Sequence, residues 1–131
     1  MISSPDCGPM AMLAGCRILI VEDEPLLAYD YADELEAHGA EPALAFSVNE
    51  ALSALSKSCP DLAVLDVNLG NEFVWPVATE LTSRCVPFYL VSGWSMEAGL
   101  PSGVRPAGCL EKPTNAHVIA EKLAQLLAIS T

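Results

Sequence analysis

Two periods of apolar and polar residues alternate along the chain. Short unbroken apolar runs suit strands buried on both faces, and the longer stretches between them return an apolar residue every three or four positions, as a helix does. The run "RILIV" at 17–21 predicts a strand. "PLLAYDYADELEAHG" then predicts a helix: Leu27, Tyr31, Leu35 and His38 recur at helical spacing, Pro25 suits a first turn and Gly39 a C-terminal stop. "EPALAF" is a second strand, and "SVNEALSALSKS" a helix with Ser47 as N-cap and Glu50 three residues on, a capping-box pattern. "DLAVLDV" is the third strand, and "WPVATELTSR" a helix opening on a proline. "VPFYLVSG" and "AGCLEKP" are the fourth and fifth strands, the latter stopped by Pro113. "TNAHVIAEKLAQLLA" is the last helix, with Thr114 as its expected cap.

Apolar strands in strict alternation with helices imply an α/β fold with a parallel sheet covered on both faces. One crossover departs from the rhythm. Residues 95–108 carry two prolines and three glycines where a helix belongs, so a short or irregular fourth helix, or a loop, is expected. Residues 1–15 mix Ser, Pro, Gly and Met and read as a flexible arm, leaving 16–131 as one domain.

A chain of 131 residues has room for one core, and a hydrophobic content of 52% excludes a disordered chain. The net charge of −11, with six Lys and Arg, argues against nucleic-acid or anionic-membrane partners, which need basic surface. No apolar run approaches the roughly 20 residues of a membrane helix, and the N-terminus lacks the basic stretch of a secretory signal. The five cysteines form no CxxC motif, and Cys16, Cys85 and Cys109 lie in or beside apolar runs. Buried or half-buried reduced thiols in a reducing cytoplasm are expected.

The first strand runs straight into Glu22, Asp23 and Glu24, and the third ends on Asp66. In an open α/β sheet, ligands bind beyond the carboxyl ends of the strands where the strand order reverses. In the flavodoxin-like order 2-1-3-4-5 those two strands are neighbours at that point, so Glu22, Asp23 and Asp66 should converge. Like charges held together are costly without compensation. A hard divalent cation resolves the conflict, and an oxygen-only ligand set suits Mg²⁺. Lys112 ends the last strand and Ser92 the fourth, which adds a cation and a hydroxyl to the same edge. That set suits phosphoryl transfer to a carboxylate, with Asp66 attacking while metal and lysine neutralise charge. Glu24 reads instead as a helix-start acid favoured by the dipole. His38 and His117 show no metal-ligand spacing and read as helix-surface or half-buried residues. Trp75 and Trp94 read as packing or partner-contact residues. No GxGxxG, GxSxG, P-loop or HExxH motif occurs.

The motifs "ILIVEDEP", "LAVLDVNL", "VSG" and "LEKP", in that order over 17 to about 129, resemble the receiver domain of bacterial two-component response regulators. The resemblance implies a (βα)5 fold and reversible phosphorylation by a sensor histidine kinase or a histidine phosphotransfer protein. It makes Glu22 and Asp23 the acidic pair, with Asp23 a direct Mg²⁺ ligand, and Asp66 the phosphoacceptor. It has the backbone carbonyl of Asn68 complete the metal site, brings Ser92 toward the phosphoryl group and Lys112 onto its oxygens, and implies a Lys112–Pro113 bond that is often cis.

The chain departs from that pattern in two places. Gly70 falls in a stretch where a proline is common, and Leu90–Ser95 only partly matches the Phe-Ala-Thr-Gly-apolar-Tyr segment of some single-domain receivers. Cys109 stands where the switch aromatic belongs, so a Tyr/Thr rotamer switch in its usual form cannot operate; Trp94 is the candidate substitute. The expected function is a single-domain response regulator acting through a downstream protein target or a phosphorelay. A phosphate-independent receiver-like adaptor is the alternative. A haloacid-dehalogenase-type phosphatase is disfavoured, because Asn68 stands where such enzymes place a second Asp.

Overall fold

The computed structural model describes residues 12–93 and 99–130. The five expected strands form: β1 Arg17–Val21, β2 Glu41–Ala45, β3 Leu62–Asp66, β4 Phe88–Ser92 and β5 Gly108–Glu111. Among the described residues, four helices accompany them: α1 Pro25–Ala37, α2 Val48–Lys57, α3 Trp75–Ser83 and α4 Ala116–Ser130. All strand pairs are parallel, in the order β2-β1-β3-β4-β5.

Side chains alternate across the sheet, so the central strands β1, β3 and β4 each feed two cores. Leu19, Val21, Ala63, Leu65, Phe88 and Leu90 face α2 and α3, meeting Val48, Ala51, Leu55, Val77 and Leu81. Ile18, Ile20, Leu62, Val64 and Val91 face α1 and α4, meeting Tyr31, Leu35, Ile119, Ala120 and Leu123. This two-sided burial explains the unbroken apolar runs of β1, β3 and β4. The edge strands β2 and β5 are half exposed along their length.

Local chemistry sets the boundaries. Ser47 caps α2 as expected: its hydroxyl accepts from the Glu50 N–H at 3.1 Å, while Glu50 reaches back to the Phe46 N–H at 2.8 Å. The cap of α4 falls one residue later than Thr114: the Asn115 side chain accepts from the Val118 N–H at 2.9 Å. Glu24 occupies the N-cap position of α1, but its side chain makes no capping hydrogen bond. Residues 99–107, in the fourth crossover, carry no helix, in line with their prolines and glycines. They lie against α3, with Val104 buried and the Arg105 N–H donating to Thr82 Oγ1 at 3.0 Å.

Met12–Gly15, which the sequence assigns to the arm, form a turn docked on the end of α1. Leu13 is fully buried, and its N–H donates to the His38 carbonyl at 2.9 Å. Gly39 has φ +91, and a Cβ there would come within 2.9 Å of Ala14 Cα, so glycine is required by conformation and by space. The rest of the arm, and Trp94, lie outside the described residues. Cys16 is buried, as expected, but Cys85 and Cys109 are exposed, as is Cys59. Cys109 projects from the uncovered edge strand. Cys85 sits just past α3 with φ +59, a left-handed turn position usually held by Gly or Asn.

Candidate functional site

The register pairs Val21 with Leu65, so the residues that follow, Glu22 and Asp66, emerge side by side. Glu22, Asp23 and Asp66 each offer an oxygen within 4.8 Å of the others. Asp66 pairs in turn with Val91, and Ser92 with Glu111, which carries the site across β4 to Lys112 after β5. The Lys112 N–H donates to the Ser92 carbonyl at 2.7 Å, and the Lys112–Pro113 bond is cis. Lys112 Nζ donates to Asp66 Oδ2 at 3.0 Å and lies 3.6 Å from Glu22 Oε1. Asp66, Ser92 and Glu22 are buried, Asp23 is half buried and Asn68 is exposed. The Asn68 N–H donates to Asp66 Oδ1 at 3.3 Å, and its side-chain oxygen accepts from the Gly70 N–H at 3.0 Å.

The charges are not balanced by protein alone. Glu22 Oε1 is buried without a hydrogen-bond partner. Burial, then the adjacent Asp66 carboxylate, push the Glu22 carboxyl up to about 8; the Glu24 N–H and Lys112 only partly oppose this. Desolvation works against the Lys112 ammonium, yet the hydrogen bond and charge of Asp66, with Glu22 behind it, leave its pKa raised and the cation secure. An orphaned oxygen, three convergent carboxylates and an all-oxygen donor set fit a hard divalent cation such as Mg²⁺.

Two neighbours of these acids, Gly70 and Tyr31, and a residue that anchors the loop after β3, Glu72, were not legible from the sequence. Gly70 has φ +86, and a Cβ there would lie 3.3 Å from Asp23 Oδ2. Tyr31 is buried, and desolvation followed by the charge of Glu22 raises its phenol to about 12. Glu72 accepts from the Val48 N–H at 3.0 Å, fastening the loop after β3 to the start of α2. A cleft of about 340 Å³, lined among the described residues by Glu24, Leu27, Tyr31, Gly93, Lys112, Pro113 and Thr114, opens beside Lys112.

His117 lies on the surface of α4, as expected, whereas His38 is more buried than expected, and both approach Glu34. His38 is buried at the end of α1, and His117, 83 positions from Glu34, reaches the same carboxylate. Spacing along one helix could not reveal a group assembled from α1 and α4.

No protein-family model matches the sequence, and no curated protein matches it. Solved structures do. The response regulator TrrA of Thermotoga maritima, solved in complex with Mg²⁺-BeF, is 27% identical with a TM-score of 0.73, over 85% of this chain and 98% of its own. The CheY-like response regulator receiver domain of Methylobacillus flagellatus is 26% identical with a TM-score of 0.69, over 86% of this chain and 99% of its own. The chain is a receiver domain by fold. A third match, the response regulator PhyR of Brucella abortus, is 25% identical with a TM-score of 0.76; it covers 95% of this chain, which spans 52% of PhyR. The strand order expected from sequence is thus the receiver order, and among the described residues no helix is long and apolar enough to cross a membrane.

Proposed function

We propose that this receiver is a phosphoacceptor signalling module of a two-component system, with Asp66 accepting the phosphoryl group. The observation that carries the reading is the contact of Lys112 Nζ with Asp66 Oδ2 at 3.0 Å beside the Glu22 and Asp23 carboxylates. The donor is a phosphohistidine, on a sensor histidine kinase or a histidine phosphotransfer protein. Glu22, Asp23 and Asp66, with the Asn68 carbonyl, are the residues that would hold Mg²⁺, which when bound neutralises charge on the transferring group.

The chain's own residues account for the rest. An Asp66 carboxylate oxygen forms the new P–O bond as the N–P bond breaks and the imidazole leaves with the bonding pair. The Lys112 ammonium, already on Asp66, turns to the phosphoryl oxygens as the carboxylate charge is spent. Ser92, at the end of the neighbouring strand, offers its hydroxyl to the same oxygens. The phosphorylated protein then acts in the cytoplasm through contact with a target protein, as a phosphate sink, or by relay to a second histidine protein. It is a signalling domain that assists its own phosphorylation and dephosphorylation, rather than a turnover enzyme.

The test is intact-mass spectrometry after incubation with Mg²⁺ and acetyl phosphate, for wild type and Asp66→Asn together. One added phosphoryl group on the wild type alone is expected. Labelling that persists in Asp66→Asn overturns the assignment. A folded, Mg²⁺-binding wild type that neither acetyl phosphate nor a panel of histidine kinases can label is instead the phosphate-independent adaptor.

A further inference from the structure

Outside the acidic pocket, a second group of ligating side chains comes together among the described residues: Glu34 and His38 from the end of α1, and His117 from the first turn of α4. Glu34 Oε2 lies 3.1 Å from His38 Nε2 and 3.3 Å from His117 Nδ1, and each residue offers one ligand atom within 4.8 Å of the other two.

We propose that Glu34, His38 and His117 form a second divalent-cation site, for a borderline ion of the Zn²⁺ class, that ties the end of α1 to the start of α4. Three observations support it. First, Zn²⁺ takes imidazole nitrogen and carboxylate oxygen at about 2.0–2.2 Å, so adjacent tetrahedral ligand atoms stand about 3.3–3.5 Å apart. The separations of 3.1 and 3.3 Å are close to that edge, and the third pair of ligand atoms lies within 4.8 Å. Second, His117 carries its own orienting partner. With Nδ1 turned to Glu34, its other nitrogen, Nε2, lies 3.4 Å from Glu121 Oε2. A carboxylate behind the far nitrogen of a ligating histidine fixes the tautomer and strengthens the donor. Third, the site has a rigid floor and an open side. His38 is buried, whereas the His117 side chain is 63% exposed, so an ion reaches the group from solvent. The fourth position falls to water.

The two groups differ in chemistry. Glu22, Asp23 and Asp66 are oxygen-only and suit a hard ion, whereas two imidazoles and one carboxylate favour Zn²⁺, Ni²⁺ or Cu²⁺ over Mg²⁺. Loss of one site therefore leaves the other, and neither reading depends on the other.

The test is a Zn²⁺ titration of the full chain against a competing chromophoric chelator, with Mg²⁺ in excess to occupy the acidic pocket. His117→Ala removes a ligand from an exposed position, and Glu121→Gln removes only its support. One Zn²⁺ per wild-type chain is expected, weakened about 100-fold or more by His117→Ala and about 10-fold by Glu121→Gln. Zn²⁺ should also raise the thermal midpoint of the wild type and leave that of His117→Ala unmoved. Co²⁺ in place of Zn²⁺ should show no thiolate charge-transfer band. Equal Zn²⁺ affinity in wild type and His117→Ala, no binding in excess Mg²⁺, or a thiolate band placing the ion on the exposed cysteines overturns the proposal and leaves a hydrogen-bonded Glu–His cluster only.

Discussion

Glu22 shows how one residue sets the terms of the site. Its carboxyl has the ordinary value of 4.5 when solvated and about 8 in the fold, chiefly through burial and then through Asp66. Between those values the folded chain holds a proton that the unfolded chain has lost. The contribution to stability is therefore complete below 4.5 and disappears as pH rises through about 8. Glu22→Gln keeps the shape and removes the charge. Urea unfolding in a chelator should find the variant about 1–3 kcal/mol more stable than wild type near pH 8, with no gain near pH 4. Its Mg²⁺ affinity should fall about tenfold or more. A variant less stable than wild type at the higher pH would contradict this account. The convergence of Glu22, Asp23, Asp66 and Lys112 was legible because each is a charged residue at or just past the end of an apolar strand, a placement with few structural uses. The place of Tyr31 was not, because a buried tyrosine at helical spacing has the same pattern whether it only packs in a core or also feels a nearby carboxylate.

The loop from β3 to α3 gives the same lesson at the scale of an element. Gly70 stands where the resemblance leads one to expect a proline nearby, and the structure supplies the reason for glycine: a left-handed φ of +86, and Asp23 Oδ2 at 3.3 Å from where a Cβ would sit. Gly70→Ala must strain the backbone and crowd the carboxylate together. A loss of about 1–2 kcal/mol is expected, with weaker Mg²⁺ binding as Asp23 is displaced; unchanged values of both would show that the loop yields freely. Elements governed by short-range rules were readable in advance, as with the Ser47–Glu50 capping box and the helix-poor segment 99–107. Those settled by tertiary contact were not. Thr114 and Asn115 are both good caps, and only the seating of α4 selects Asn115. The turn at Cys85 contains no glycine to announce it. The docking of Leu13 under the end of α1 depends on a hole that no local pattern describes.

At the scale of the molecule, the fold carries a net charge of −11 and gathers part of it at one sheet edge. Self-repulsion of this kind is relieved by a bound cation more than by any substitution remote from it. Mg²⁺ binding requires Glu22 to give up its proton, so the stabilisation by Mg²⁺ should grow with pH through the window in which Glu22 titrates. Near pH 8, free Mg²⁺ at about 100 times its Kd should add about 2.7 kcal/mol and raise Tm by several degrees; near pH 5 the gain should be much smaller. The metal-free wild type should lose stability over the same range, and Glu22→Gln should lose less. Thermal unfolding of both proteins at the two pH values, with Mg²⁺ and with chelator, separates this from a general charge effect. Screening by monovalent salt acts alike on the sixteen acids that the two proteins share, whereas the term due to Glu22 disappears with its charge. If the Mg²⁺ gain were as large at the lower pH, the proton on Glu22 would not compete with the ion, and its carboxylate would have to lie outside the site that the strand register builds.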